Sequence, residues 1–77
     1  MFVVVTYDVN TQNTAGQRRL RKVSKECLKY GQRVQNSVYE CNITQVQYVQ
    51  MKHSLSKLID KSKDSLRFYK IKIFFLL

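Results

Sequence analysis

The sequence predicts an α+β chain, and three observations carry that prediction. A β-branched run opens the chain, apolar residues recur at helical spacing in two places, and an alternating stretch lies between those two places. Each element follows from local chemistry. Phe2 to Tyr7 is short and apolar enough for a buried strand, and it ends at Asp8. Asn10 to Thr14 is polar and turn-like. Thr14 with Gln17 fits a capping box, a hydroxyl followed three residues later by an amide side chain. Leu20, Val23, Cys27 and Tyr30 then recur at helical spacing, so the pattern predicts a helix over 16–30 with Gly31 as a left-handed stop.

Residues 33–43 alternate, with Ser37, Tyr39, Cys41 and Ile43 on one face and Val38, Glu40 and Asn42 on the other. They read as one bent strand or as two short ones hinged near Asn36. Thr44 with Gln47 repeats the capping box, and Tyr48, Met51, Leu55, Leu58 and Ile59 form the stripe of a second helix ending near Asp60. Lys61 to Ser65 is a polar loop, and Leu66 to Ile73 reads as a final strand. Right-handed crossovers place both helices on one face of an antiparallel sheet, which is a ferredoxin-like βαββαβ arrangement over residues 1–77 as a single domain. That arrangement hosts many unrelated functions, so function has to be argued from side chains.

Length and charge narrow the choice. Seventy-seven residues with no proline and two glycines offer no linker, and exclude a two-domain enzyme or a full-size dinucleotide-binding fold. A chain this short buries only about 60% of its unfolded surface, so a second copy would add needed core. The net charge is +9. Residues 15–33 hold seven Lys/Arg against Glu26 alone, and Arg18, Arg19, Arg21, Lys22, Lys25 and Lys29 all avoid the apolar stripe. A merely solvated helix face usually interleaves acids for i,i+4 pairing, so this face reads as a phosphate-binding surface. Six such contacts would give a log–log salt slope of about −5 on duplex DNA.

Five acidic residues are available. Asp8 closes the first strand beside a polar loop, where it can form a turn, cap a helix or bind a hard cation. Mg²⁺ needs oxygen donors and keeps several waters, so one or two carboxylates with substrate phosphate suffice for phosphodiester hydrolysis. Glu26 and Glu40 belong to other elements, and Asp60 and Asp64 read as a distant helix end, so a metal site here calls for two Asp8 copies facing across a two-fold axis. His53 is the only histidine and lies mid-helix, which leaves no support for a Ser-His-Asp or Cys-His arrangement. Cys27 and Cys41 read as reduced core thiols, and the Tyr7, Tyr39 and Tyr69 rings as core or interface. No export signal or membrane-spanning run is evident, so the chain reads as soluble and cytoplasmic.

These motifs coincide with a known family. Thr6-Tyr7-Asp8, Arg19 to Val23, the block Tyr30 to Cys41 with its Arg-Val-Gln-Asn-Ser-Val-Tyr-Glu core, and Asp64 to Tyr69 together resemble the CRISPR-associated endoribonuclease family Cas-two, closest to the subtype I-C form. The similarity runs over about residues 2–71. It implies a ferredoxin-like homodimer that works in spacer acquisition, bridges dimers of the Cas-one integrase, and holds DNA or RNA with no membrane attachment. It also implies a metal-dependent nuclease of RNA or double-stranded DNA, in which Asp8 is the catalytic residue and one Mg²⁺ lies between two Asp8 copies. Tyr7 matches the neighbouring tyrosine, while Arg18, Arg19 and Arg33 fall at or near arginines tied to nucleic-acid handling. Ser37 and Tyr39 match the strand motif. Family members continue past the Arg-Phe-Tyr strand into a further strand, whereas this chain closes on Ile-Phe-Phe-Leu-Leu, a shortened or altered C-terminal segment that would leave an apolar sheet edge. Two further readings stay open beside the nuclease: a non-catalytic scaffold that bridges integrase dimers on DNA, and an RNA-binding module of the same fold.

Overall fold

The computed structural model describes residues 1–72. Six elements follow one another: β1 (Phe2–Asp8), α1 (Thr14–Cys27), β2 (Gln32–Gln35), β3 (Val38–Asn42), α2 (Gln45–Leu58) and β4 (Ser65–Ile71). The four strands form one sheet in the order β2-β3-β1-β4, and every neighbouring pair is antiparallel. The first strand therefore sits inside the sheet, and each helix links strands that are separated by one intervening strand. This is the expected ferredoxin-like topology. Ile73 and the apolar tail after it lie outside the described residues.

The alternation of β1 sends Val3, Val5 and Tyr7 toward the helices, where all three are buried. Tyr39, Cys41 and Ile43 join them from the β3 side, Val23 and Cys27 from α1, and Tyr48, Met51 and Leu55 from α2. Fully burying a side chain of the size of Leu55 contributes about 1.5–3 kcal/mol, so this shared layer is what holds the helices on the sheet. Both cysteines are free and buried, and loss of hydration pushes the Cys27 thiol up to about 12. Among the described residues, the opposite sheet face carries no helix. There Phe2, Val4, Thr6 and Val38 are half-buried, and Tyr69 and Ile71 are exposed.

Three local expectations change. Asn13, not Thr14, caps α1: Asn13 is extended, and its side-chain oxygen accepts from the Gly16 amide at 2.7 Å. The helix stops at Cys27, because Lys29, Tyr30 and Gly31 donate to Glu26 and Cys27 carbonyls in a closing turn. Gly31 is not left-handed. It is glycine because β3 passes so near that a Cβ would overlap the Glu40 carbonyl and lie 2.8 Å from the Cys41 Cα. The second capping box forms as expected, with Gln47 N donating to the Thr44 hydroxyl at 3.1 Å and Thr44 N to the Gln47 side chain at 2.9 Å.

Of the two options for residues 33–43, two strands form. Asn36 and Ser37 make the turn, and Ser37 takes φ 63°, a left-handed conformation that costs a non-glycine residue about 1 kcal/mol or more. Ser37 is thereby removed from the strand face it was expected to share with Tyr39. Its carbonyl instead accepts from the Tyr7 amide at 2.9 Å, tying the hairpin turn to the end of β1.

Candidate nucleic-acid and metal site

The C-terminal end of β1 gathers the chemistry. Tyr7 and Asp8 are consecutive, so their side chains leave opposite sheet faces: Tyr7 is buried under the helices and Asp8 is exposed. The β4 residue that pairs with Asp8 is Ser65, and Asp64 precedes it. Asp64 is therefore carried to the helix side of the same strand end. Its carboxylate accepts the Tyr7 hydroxyl at 2.5 Å, Arg19 Nε at 2.8 Å, Arg19 Nη2 at 3.1 Å and the Asp60 amide at 2.9 Å. The side chain has no exposed surface.

Burial alone would raise the Asp64 pKa. The bonds from Arg19, from Tyr7 and from the Asp60 amide outweigh that cost and hold it below the usual carboxylate value. The same contacts act on their donors: burial, and then the anion at its hydroxyl, raise the Tyr7 phenol above its ordinary value. Arg19 is likewise raised, chiefly by its bond to Asp64. Sequence reasoning placed Asp64 at a distant helix end and missed this role. The one available signal was that Asp64 directly precedes the final strand, whose register puts it beside Tyr7.

Arg19 is thus engaged inside the fold, with only 17% of its side chain exposed, and stands apart from the other expected phosphate contacts. Arg18, Lys22 and Lys25 recur at helical i, i+4 and i+7 and are all exposed, forming one basic row on α1, which the exposed Lys29 continues in the closing turn. Arg21 flanks that row. Arg33 is exposed on β2, the edge strand, and meets Tyr39 in the β2–β3 register. Only Arg19 and Lys29, of fourteen Lys/Arg residues, form an ion pair among the described residues, with Asp64 and Glu26. Tyr39 is fully buried and supports the site from the core, while Ser37 stands at the turn beside β1.

A cleft of about 480 Å³ opens between α1 and the β2–β3 turn. Arg21 of α1 and Arg33 of β2 both line it, Thr11, Ser24, Asn36 and Ser37 supply polar groups, and Val9, Leu20 and Tyr39 supply its apolar part. The loop that follows Asp8 is held against α1: the Gln17 side chain donates to the Thr11 carbonyl at 2.9 Å, and Gly16 leaves room for the Asn10 carbonyl.

Comparison with known proteins fits this arrangement of a strand-end aspartate, a basic first helix and a ferredoxin-like sheet. A family model described as CRISPR associated protein Cas2 matches residues 1–73. The chain belongs to the Cas2 family. A CRISPR-associated endoribonuclease Cas2 of Moorella thermoacetica is 49% identical over 72 residues, which cover 94% of this chain and 75% of that protein. A CRISPR-associated endonuclease Cas2 of Halalkalibacterium halodurans is 54% identical over 71 residues, covering 92% and 74%. The crystal structure of Streptococcus pyogenes Cas2 at pH 6.5 superposes with a TM-score of 0.91 at 56% identity, covering 94% of this chain and 87% of that one.

For this Cas2 chain, the fit to a divalent cation rests on Asp8. Its carboxylate is exposed and takes part in neither ion pair, so its oxygens are available to a hard cation. Asp64 cannot be its second ligand, because it lies on the other side of the sheet and its oxygens are committed to three neighbours. Among the described residues no group of three His, Cys, Asp or Glu could hold a metal ion. Asp8 is thus the one exposed carboxylate that the described residues offer at this strand end. Among the same residues, no helix is long and apolar enough to cross a membrane.

Proposed function

We propose that this Cas2 chain is a nuclease of CRISPR spacer acquisition that hydrolyses phosphodiesters of RNA or double-stranded DNA as a Mg²⁺-dependent homodimer. The observation that carries the reading is an exposed, unengaged Asp8 carboxylate on the helix-free sheet face of a chain whose basic residues are almost all unpaired. Asp8 shares that face with the half-buried apolar residues Phe2, Val4 and Val38, so two copies packed through it would bring their Asp8 residues to a common axis. The names of the relatives, endoribonuclease and endonuclease, support the reaction class.

In this mechanism each residue has a distinct task. The two Asp8 carboxylates would hold the ion. Mg²⁺, when bound, supplies charge stabilisation at the phosphoryl group and a more acidic water. Arg18, Arg21, Lys22 and Arg33 neutralise the phosphate backbone and set its register, with Lys25 and Lys29 extending the row. Tyr7, Arg19 and Asp64 fix the strand end from behind, so that Asp8 is presented without rearrangement. The CRISPR integrase is the partner such a basic dimer would bridge along DNA.

The test is cleavage by wild type and Asp8→Ala with Mg²⁺ or with chelator, alongside solution mass and circular dichroism. The expected result is a dimer whose cleavage falls at least 100-fold in Asp8→Ala while the fold and nucleic-acid binding persist. Cleavage by purified Asp8→Ala at the wild-type rate overturns it. The scaffold reading draws on the same basic row, and is selected instead if neither protein cuts, both bind DNA, and Asp8→Ala still supports spacer acquisition.

A further inference from the structure

We propose that the cleft between α1 and the β2–β3 turn is a pocket for a single unpaired nucleotide, with its phosphate held between Arg21 and Arg33. This rests on the nucleic-acid reading above and adds to it a place. The basic row on α1 suits any phosphate backbone. The cleft differs in kind, because it joins two guanidinium groups to an apolar part of nucleobase size.

Four features point the same way. The cleft holds about 480 Å³, room for one nucleotide and too little for a base pair with its backbone. Its apolar part is Val9 and Leu20 over the buried Tyr39, and Thr11, Ser24, Asn36 and Ser37 supply donors and acceptors around it. That combination suits a base removed from a stack, whose faces need apolar contact and whose edges need partners. Arg21 and Arg33 come from different elements and neither has an ion-pair partner among the described residues. No acidic residue lines the cleft, so nothing inside it competes with a phosphate. The cleft lies on the helix side of the sheet, opposite the face that exposes Asp8, so the inferred preference is for strands with an unpaired nucleotide that binds apart from the strand-end carboxylate.

The test compares binding of a fluorescently labelled ten-nucleotide single-stranded RNA and a blunt DNA duplex, by anisotropy at one salt concentration. Ser24→Phe fills the cleft without changing charge. Thr11→Phe does so from the exposed loop, which covers the case in which a helix substitution disturbs folding. Either filled variant that keeps the wild-type circular dichroism should bind the single strand about tenfold more weakly and the duplex within about twofold of wild type. Two folded filled variants that bind the single strand as wild type does would overturn the pocket while leaving the nucleic-acid reading intact. A wild-type protein that binds neither probe would overturn both.

Discussion

Asp64 accepts a hydrogen bond from the Tyr7 hydroxyl at 2.5 Å although 57 residues separate them in the chain. Tyr7 adjoins Asp8, and Asp64 adjoins Ser65, the register partner of Asp8. The contact therefore ties together the two strand ends that frame the exposed carboxylate, and Arg19 completes it from α1.

Removing the shared acceptor should be costly. Asp64→Ala leaves the Arg19 cation and the Tyr7 hydroxyl without their partner in a mostly buried place, a loss of about 3 kcal/mol. In a chain of this size that corresponds to a fall in Tm of roughly 12–24 °C, readable by thermal denaturation. Tyr7→Phe should cost less, about 1 kcal/mol, because Arg19 and the Asp60 amide still satisfy Asp64. A double-mutant cycle between the two positions should show coupling, and simple additivity would refute the shared network.

Stability should be lost at both ends of the pH scale. The Asp64 pKa lies below its ordinary 3.8, so its contribution is present above that value and disappears as pH falls through the folded value. Tyr7 is raised above its ordinary 10.0, which favours the neutral phenol; its contribution is present below pH 10 and is lost as pH rises toward the folded value. Cys27, raised from 9.0 to about 12, acts in the same alkaline direction. Urea midpoints measured across pH should be flat between about 5 and 9 and fall outside that window. In Tyr7→Phe the alkaline fall should be shallower.

Gly31→Ala tests the close approach of β3 to the end of α1. The added Cβ meets backbone on Glu40 and Cys41, which cannot swing aside, so destabilisation of about 1–3 kcal/mol is expected. A left-handed glycine would also resist alanine, but here φ is not positive, so the cost should come from overlap alone. Hydrogen exchange should then rise at the β2–β3 pair; wild-type exchange there would argue against the close packing.

The α1 row should be legible in salt. With Arg18, Arg21, Lys22, Lys25, Lys29 and Arg33 as the six phosphate contacts, nucleic-acid binding should weaken with a log–log slope of about −5, and each alanine at Arg18, Lys22 or Lys25 should reduce that slope by about 1. Arg19→Ala should leave the slope unchanged while lowering the melting temperature, because its guanidinium is spent on Asp64. A flat salt response in the wild type would remove the electrostatic basis of the interface.

The sequence by itself determined whatever depends on near neighbours in the chain. Strand alternation, two helical stripes, the Thr44 cap, the crossover order and the basic row on α1 are set by periods of two and 3.6 residues, and all were legible. Asp8 at a strand end and the family motifs were legible too, being runs of consecutive residues. The cap of α1 was misplaced: the Thr14–Gln17 spacing pointed to Thr14, whereas the extended Asn13 is the cap and its side chain accepts from the Gly16 amide. Tertiary structure alone decided that Arg19 faces inward to Asp64 while Arg18 and Lys22 face water, that Gly31 is required by a neighbouring strand, and that Arg21 and Arg33 line one cleft. The reason is that strand register sets which distant residues meet, and register is a property of the whole sheet that no short window of sequence contains.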